Sequence, residues 1–366
     1  TTTFADAKEI PINMVESGPV AGIYGSAMLG EMLGEKNVIA FDIGGTTAKC
    51  SLVSNGEVKT TTEYKIEKTG RFPGYPIRVP VVDIVEIGNG GGSIAWIDST
   101  NTLRVGPKSA GALPGPVAYQ RGGTEPTTTD ANLVVGRLSP KNFDMEVDMD
   151  KVRAAVEEKV GKVYGIDAEE AAMGIIRVAN SNMLNALKLV SVRKGYDPRE
   201  FALVAFGGGG PMHASALAKE LNIKKVIIPL AASVFSAWGM LMTDLRTDDI
   251  QTYNVKLTNP DYDAINAEWR KLEKKAYEDN AKKGIDKENV YFQHYLDMRY
   301  IGQDHTVKVR VPNEDMSKEN LGEFIEAFHK EHEQNYSFRL EDSGVEIVNM
   351  HLASFGRIEK TPIKEI

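Results

Sequence analysis

Small and apolar residues recur with helical spacing over residues 14–34, and Ser17-Gly18-Pro19 stands at the front of that run. Proline suits a first helical turn, where its missing N–H costs nothing, and serine suits the cap. The pattern then becomes continuous. Asn37 to Phe41 reads as a buried strand ending at Asp42, Gly44-Gly45 as a tight turn, and Ala48 to Val53 as the returning strand. Asn55-Gly56 is a hairpin signal leading into a strand over Glu57 to Ile66. Residues 70–125 are rich in glycine and proline with little helical pattern. Such a long irregular stretch inside a domain is usually a functional or binding loop.

Helical periodicity returns over 149–161 and 168–193, where Ala171, Ile175, Val178, Met183, Leu187 and Val190 form an apolar stripe. A short buried strand, Phe201 to Phe206, leads into Gly207 to Gly210, a helix over Met212 to Leu221 and a strand over Lys225 to Ile228. Around Thr247 the texture changes. Residues 251–257 and 290–310 alternate like strands, while 260–283 and 317–334 read as amphipathic helices. The pattern predicts an α/β protein with a domain over 1–250 and an α+β domain over 251–366.

Composition narrows this picture. With 366 residues, 42% of them hydrophobic, the chain can bury a large core. A net charge of −8 argues against non-specific nucleic-acid binding, which needs clustered Lys and Arg. Lys271, Lys274 and Lys275 do cluster, with acidic neighbours, and read as a solvated helix face. The single cysteine, Cys50, rules out a disulfide framework and points to a reducing cytoplasm; inside an apolar strand it reads as buried filler. No run is long and apolar enough to span a membrane, and no secretory signal is present.

The first chemistry lies in Asp42-Ile43-Gly44-Gly45-Thr46-Thr47. A strand ends in a carboxylate, and two glycines let backbone N–H groups approach a phosphate closely. Thr46 and Thr47 add hydroxyls, and Asp42 is a candidate to hold hydrated Mg²⁺. A plain glycine hairpin is the competing reading. Gly207, Gly208, Gly209 and Gly210 form a second glycine turn between a strand and a helix. A dinucleotide fingerprint is disfavoured there, because His213 stands where its third glycine belongs. Gly90, Gly91, Gly92 and Ser93 form a third loop and are candidates to face a substrate. Asp130 follows Thr127-Thr128-Thr129 and is open to a helix-capping role or a catalytic one. His213 is equally open to packing, capping or ligation, and His329 with His332 reads as a solvated helix face.

The order helix, acidic glycine hairpin, strand and glycine turn resembles the actin-like, ribonuclease H-like ATPase superfamily. More specific strings are similar to hydantoinase A, the 5-oxoprolinases and the nucleotide-binding subunits of ketone carboxylases. They include Ser17-Gly18-Pro19, the Asp42 hairpin, Gly90 to Ala95, Ser109-Ala110-Gly111-Ala112, Pro114-Gly115-Pro116 and Thr129 to Leu133. Phe206 to Pro211 and Asp297-Met298-Arg299-Tyr300 continue the series. The resemblance implies ATP and Mg²⁺ as cofactors. It makes Gly44 to Thr47 the phosphate cradle, Asp42 the metal position, Gly207 to Gly210 the adenosine turn, and Asp42 and Asp130 catalytic candidates. It implies phosphorylation of the carbonyl oxygen of a hydantoin, N-methylhydantoin or 5-oxoproline. The alternatives are phosphorylation of a ketone-derived enol in a carboxylase, and a non-catalytic ATP switch. A hydantoinase B-like second subunit, in a homo- or hetero-oligomer, is the implied partner. Two departures stand out. Lys49 occupies a position where relatives often carry Asp, and an earlier domain with its own phosphate hairpin is expected but absent from this sequence.

Overall fold

A computed structural model describes residues 2–61, 64–66, 72–77 and 81–360. The chain forms two compact units, Glu16–Leu241 and Thr1–Val15 together with Met242–Ile366. The N-terminal residues therefore belong with the C-terminal half, which no local pattern announces. Asp6 accepts an ion pair from Lys283 at 2.9 Å, a link across more than two hundred residues of chain.

The larger unit is built on a mixed sheet. Its strand order is Val226–Ile227, Ala202–Phe206, Val38–Ile43, Ala48–Ser54 and Glu57–Val58, with Val85–Ile87 also paired to Ala48–Ser54. Val38–Ile43 runs parallel to Ala202–Phe206 and antiparallel to Ala48–Ser54. This is the expected α/β class. Alternate side chains of one strand serve two cores. Ile39, Phe41 and Ile43 pack with Met183, Leu187 and Leu217 from helices Ala168–Val190 and Gly210–Leu221. Val38 and Ala40 pack on the other face with Ile23 of the helix Ser17–Met32. Gly22 of that helix lies so close to the Phe206 ring that a Cβ there would stand 2.4 Å from it. Gly30 lies against Val38 at the strand's start. The helix thus runs antiparallel to the strand, and its N-terminus shares an edge with Asp42.

The strand expected to stop at Asp42 continues through Ile43. Asn55 and Gly56 take the positive φ of the expected hairpin turn, at 54° and 81°. Of the strand expected over 57–66, residues 62–63 lie outside the described residues; Glu57–Val58, Thr60–Thr61 and Lys65–Ile66 form short separate strands. The irregular stretch over 70–125 holds the hairpin Ser93–Ile97 and Leu103–Ser109, with residues 70–71 and 78–80 outside the described ones. Cys50 is buried in the core, and burial pushes its thiol pKa up to about 12, so it is inert filler as expected.

In the smaller unit four strands lie in the order Leu245–Lys256, Val345–Gly356, Val290–Tyr300, Val307–Val311. Helices Tyr262–Lys282 and Leu321–Tyr336 cover one face through Ile265, Trp269, Phe324 and Phe328. Lys271, Lys274 and Lys275 are exposed, as their spacing predicts. His329 and His332 correct the expectation of a solvated face: both are buried, at 7% and 2% exposure. Phe324, Phe328 and His332 recur every four residues, so the imidazole continues an aromatic stripe. Its polar atoms are satisfied locally. His332 Nδ1 lies 2.9 Å from the Phe338 carbonyl, and His329 Nδ1 lies 2.7 Å from the Tyr300 hydroxyl, which also accepts from the Leu340 N–H at 2.8 Å. Tyr300→Phe would take a partner from the buried His329 imidazole and from the N–H of the exposed Leu340. A loss of about 1–3 kcal/mol in denaturant unfolding is expected; an unchanged midpoint would show that these bonds contribute nothing net.

Candidate nucleotide-phosphate site

Two strand ends create the site. Val38–Ile43 and Ala202–Phe206 are parallel neighbours, so the hairpin after one and the glycine turn after the other leave the sheet at the same edge. Ligands of open α/β sheets bind at that carboxyl edge. Two helix N-termini, those of Ser17–Met32 and Gly210–Leu221, add positive dipole ends there.

Asp42 stands half-buried at this edge, paired in register with Phe206 on one side and Lys49 on the other. Burial raises its pKa above the ordinary carboxylate value, and the Lys49 charge opposes the shift. Gly207, with φ of 77°, presses on it: a Cβ would lie 2.3 Å from Asp42 Oδ1 and 2.5 Å from the Ile43 carbonyl. Only glycine fits, in conformation and in space. The Gly209 N–H donates to the Ile43 carbonyl at 2.9 Å, which ties the turn to the strand end. Gly208 is exposed with nothing near its Cα, while Gly210 is buried at the helix start. Bare backbone thus flanks one carboxylate from both neighbouring turns.

Within the hairpin the Gly44 N–H donates to the Thr47 carbonyl at 3.1 Å. The loop Gly88 to Ser93 docks on it edge to edge: Gly91 N–H donates to the Gly44 carbonyl at 3.0 Å and Gly92 N–H to that of Gly45 at 2.6 Å. A Cβ on Gly90 would stand 2.6 Å from the Gly44 carbonyl oxygen. Thr129 fastens the loop from behind, its N–H and hydroxyl both donating to the Gly91 carbonyl. A cavity of ≈ 290 Å³ opens beside the hairpin, lined by Gly45, Thr46, Gly92, Ala112, Tyr119 and Thr129 among others. Of the loop proposed to face a substrate, Gly92 alone lines this cavity. Ser93 is fully buried, and its hydroxyl accepts from the Gly90 N–H at 2.8 Å. It closes the loop rather than facing a ligand.

Of the two roles open to Asp130, the structure shows the capping one. It is fully buried, and its oxygens accept from the N–H groups of Val117, Ala118 and Thr127 and from the Thr127 hydroxyl, at 2.8–3.2 Å. Thr127 and Asp130 form a reciprocal capping box. The carboxylate pins the Val117–Tyr119 turn, which carries cavity residue Tyr119, to the helix Thr128–Val134. His213 is likewise internal: Nδ1 lies 2.6 Å from Asn180 Oδ1, and burial lowers its pKa to about 4. Among the described residues no three His, Cys, Asp or Glu side chains cluster as a metal site. A site with fewer than three such ligands does not conflict with Mg²⁺, an ion that commonly takes one or two carboxylates and completes its shell with water and phosphate. Sequence reasoning missed Glu86, Ser109 and Tyr119 as neighbours of the hairpin or its cavity, because they arrive from other segments.

The amino-acid chain matches the hydantoinase/oxoprolinase model over residues 1–249 and the hydantoinase/oxoprolinase C-terminal domain over 255–365. The chain belongs to the hydantoinase/oxoprolinase family. Its fold is accordingly the actin-like α/β arrangement expected. It is 38% identical to a protein of Methanocaldococcus jannaschii over 98% of this chain and 52% of that protein. It is 34% identical to the caprolactamase subunit alpha of Pseudomonas jessenii, again over 98% and 52%. The crystal structure of the ATP-dependent caprolactamase from that organism superposes with a TM-score of 0.83, covering 96% of this chain and 50% of that one. A nucleotide-free acetone carboxylase structure superposes at 0.71 with 26% identity, over 93% and 49%. The chain thus spans about half the length of the relatives it matches. No helix among the described residues is long and apolar enough to cross a membrane.

The capping role of Asp130 has a direct test. Asp130→Asn turns an amide N–H₂ toward donors and should lower stability by about 2 kcal/mol or more. Chemical denaturation measures it, and full stability with lost turnover would instead favour the catalytic role.

Proposed function

We propose that this chain supplies the phosphate-binding half of an ATP-dependent enzyme that phosphorylates the carbonyl oxygen of a small cyclic amide or imide. Hydantoin, N-methylhydantoin and 5-oxoproline represent the class. The observation that carries the reading is Asp42 between two glycine turns on adjacent parallel strands. An amide carbonyl is a poor electrophile because nitrogen feeds it electron density. ATP supplies the phosphoryl group that turns its oxygen into a leaving group. The protein's part is positioning and charge stabilisation. Gly44, Gly45, Thr46 and Thr47 would hold phosphate oxygens, Asp42 would hold hydrated Mg²⁺, and Gly207 to Gly210 would lie along the adenosine.

The amide reading is supported by the superposition, which is closer on the caprolactamase than on the acetone carboxylase, and by the share of this chain matched, 98% for the caprolactamase subunit against 81% for an acetophenone carboxylase subunit of 36% identity. Several relatives are named as subunits, which supports a second, hydantoinase B-like subunit as partner. Lactam-stimulated ATP hydrolysis by the full-length protein with its co-purifying partner is the functional test. Stimulation by ketone and bicarbonate alone would move the assignment to the carboxylases. Hydrolysis indifferent to both substrate classes would leave a nucleotide switch.

Asp42→Asn keeps shape and removes charge. In the full-length protein it should lower turnover at least about a hundredfold, about 2.7 kcal/mol in the barrier, with an unchanged melting temperature. Near-normal turnover would make Asp42 a turn residue, since Asn serves turns about as well. The ionised carboxylate is the form that holds metal, and its pKa is raised. Activity should therefore be lost as pH falls through a value above the ordinary carboxylate range. A pH–rate profile that stays flat down to pH ~4 would contradict this.

A further inference from the structure

Three charged side chains stand in a row across three strands. Asp42 opposes Lys49, and Lys49 opposes Glu86, each directly in register. Side chains directly opposed in this way share a face of the sheet. The ammonium of Lys49 makes its ion pair with Glu86, 2.7 Å away, and donates to Thr47 Oγ1 at 3.0 Å. Lys49 is largely buried, at 18% side-chain exposure, and Glu86 is partly exposed at 40%.

The hydrogen-bond chemistry of this trio is one-directional. An ammonium carries three donors and no acceptor, so Thr47 Oγ1 can meet Lys49 only as an acceptor. Its own O–H must then turn away from Lys49 and is available as a donor. Thr47 ends the hairpin whose carbonyl closes on Gly44, and it remains half-buried rather than sealed. Thr46 differs: its hydroxyl lies 3.3 Å from the Ser109 hydroxyl, a partner that can donate or accept and so fixes no direction. Glu86 completes the device by holding the Lys49 ammonium on its own strand, clear of an ion pair with Asp42.

We propose that Lys49, held by Glu86, is a positioning residue that fixes the Thr47 hydroxyl as a hydrogen-bond donor to a nucleotide phosphate. The inference rests on the nucleotide reading of the hairpin and adds to it a residue that acts through another. A lysine merely completing a surface ion pair would contribute little to stability and nothing specific to phosphate.

The test is equilibrium binding to the full-length protein, by calorimetry with EDTA present so that the metal is removed. ATP and adenosine are the two probes. Lys49→Met should weaken ATP about tenfold and leave adenosine unchanged. Thr47→Val should do the same, and Lys49→Met in the Thr47→Val background should add no further loss. Lys49→Arg, which keeps a donor, should retain most of the affinity, and Glu86→Gln should show an intermediate loss with an unchanged melting temperature. These last two carry the test should Lys49→Met fail to fold. Full ATP affinity in Lys49→Met or in Glu86→Gln overturns the inference. So does an effect of Lys49→Met that persists without the Thr47 hydroxyl, since charge alone would then act. Wild-type protein that binds ATP neither in EDTA nor with Mg²⁺ restored overturns the nucleotide reading, and the inference falls with it.

Discussion

The site depends on backbone meeting backbone without side chains between. The carbonyls of Gly44 and Gly45 receive the N–H groups of Gly91 and Gly92, and Gly207 lies on Asp42 at a distance no Cβ allows. The close approaches force glycine at Gly90 and Gly207, where a Cβ would stand 2.6 Å from the Gly44 carbonyl oxygen and 2.3 Å from Asp42 Oδ1, whereas a Cβ on Gly45 would meet nothing. The same bareness that lets the loops interlock leaves the outer backbone of the hairpin open to a polyanion. Buried cores on both faces of Val38–Ile43 then fix where that edge stands.

Charge around the edge is graded by environment. Burial makes the ionisation of Asp42 harder, and the charge of Lys49 on the neighbouring strand opposes that shift. Asp130 is surrounded by four donors and serves the scaffold. Two aspartates that look alike in sequence are separated by what their oxygens meet. Lys49 brings a positive charge to a position where a second carboxylate would have strengthened metal binding. On the proposed reading, the chain pairs one metal-holding group with one phosphate-orienting cation.

Much of this was legible in the sequence, for local reasons. A strand ending in Asp42 before two glycines, and a strand running into four, announce their turns through neighbouring residues alone. The Asn55-Gly56 turn and the long stripe of Ala168–Val190 are equally local. What stayed hidden was non-local or non-periodic. Lys49 and Glu86 meet through strand register, which no window reveals. Val345–Gly356 was unread although it is an inner strand of its sheet; it is paired on both sides, so Met350 to Gly356 is buried without alternation, with His351 and Ser354 interrupting the apolar run. His329 and His332 were misplaced because their polarity was weighed and their place in an aromatic stripe was not.

The central claim is that the Asp42 edge receives the phosphates of a nucleotide. Backbone hydrogen exchange of the full-length protein, with and without Mg²⁺ and a non-hydrolysable ATP analogue, tests it most directly. Exchange should slow in peptides covering 42–49 and 206–211 and stay unchanged over the C-terminal sheet, 290–311. Slowing confined to other segments, with none at the hairpin or the glycine turn, would contradict the account.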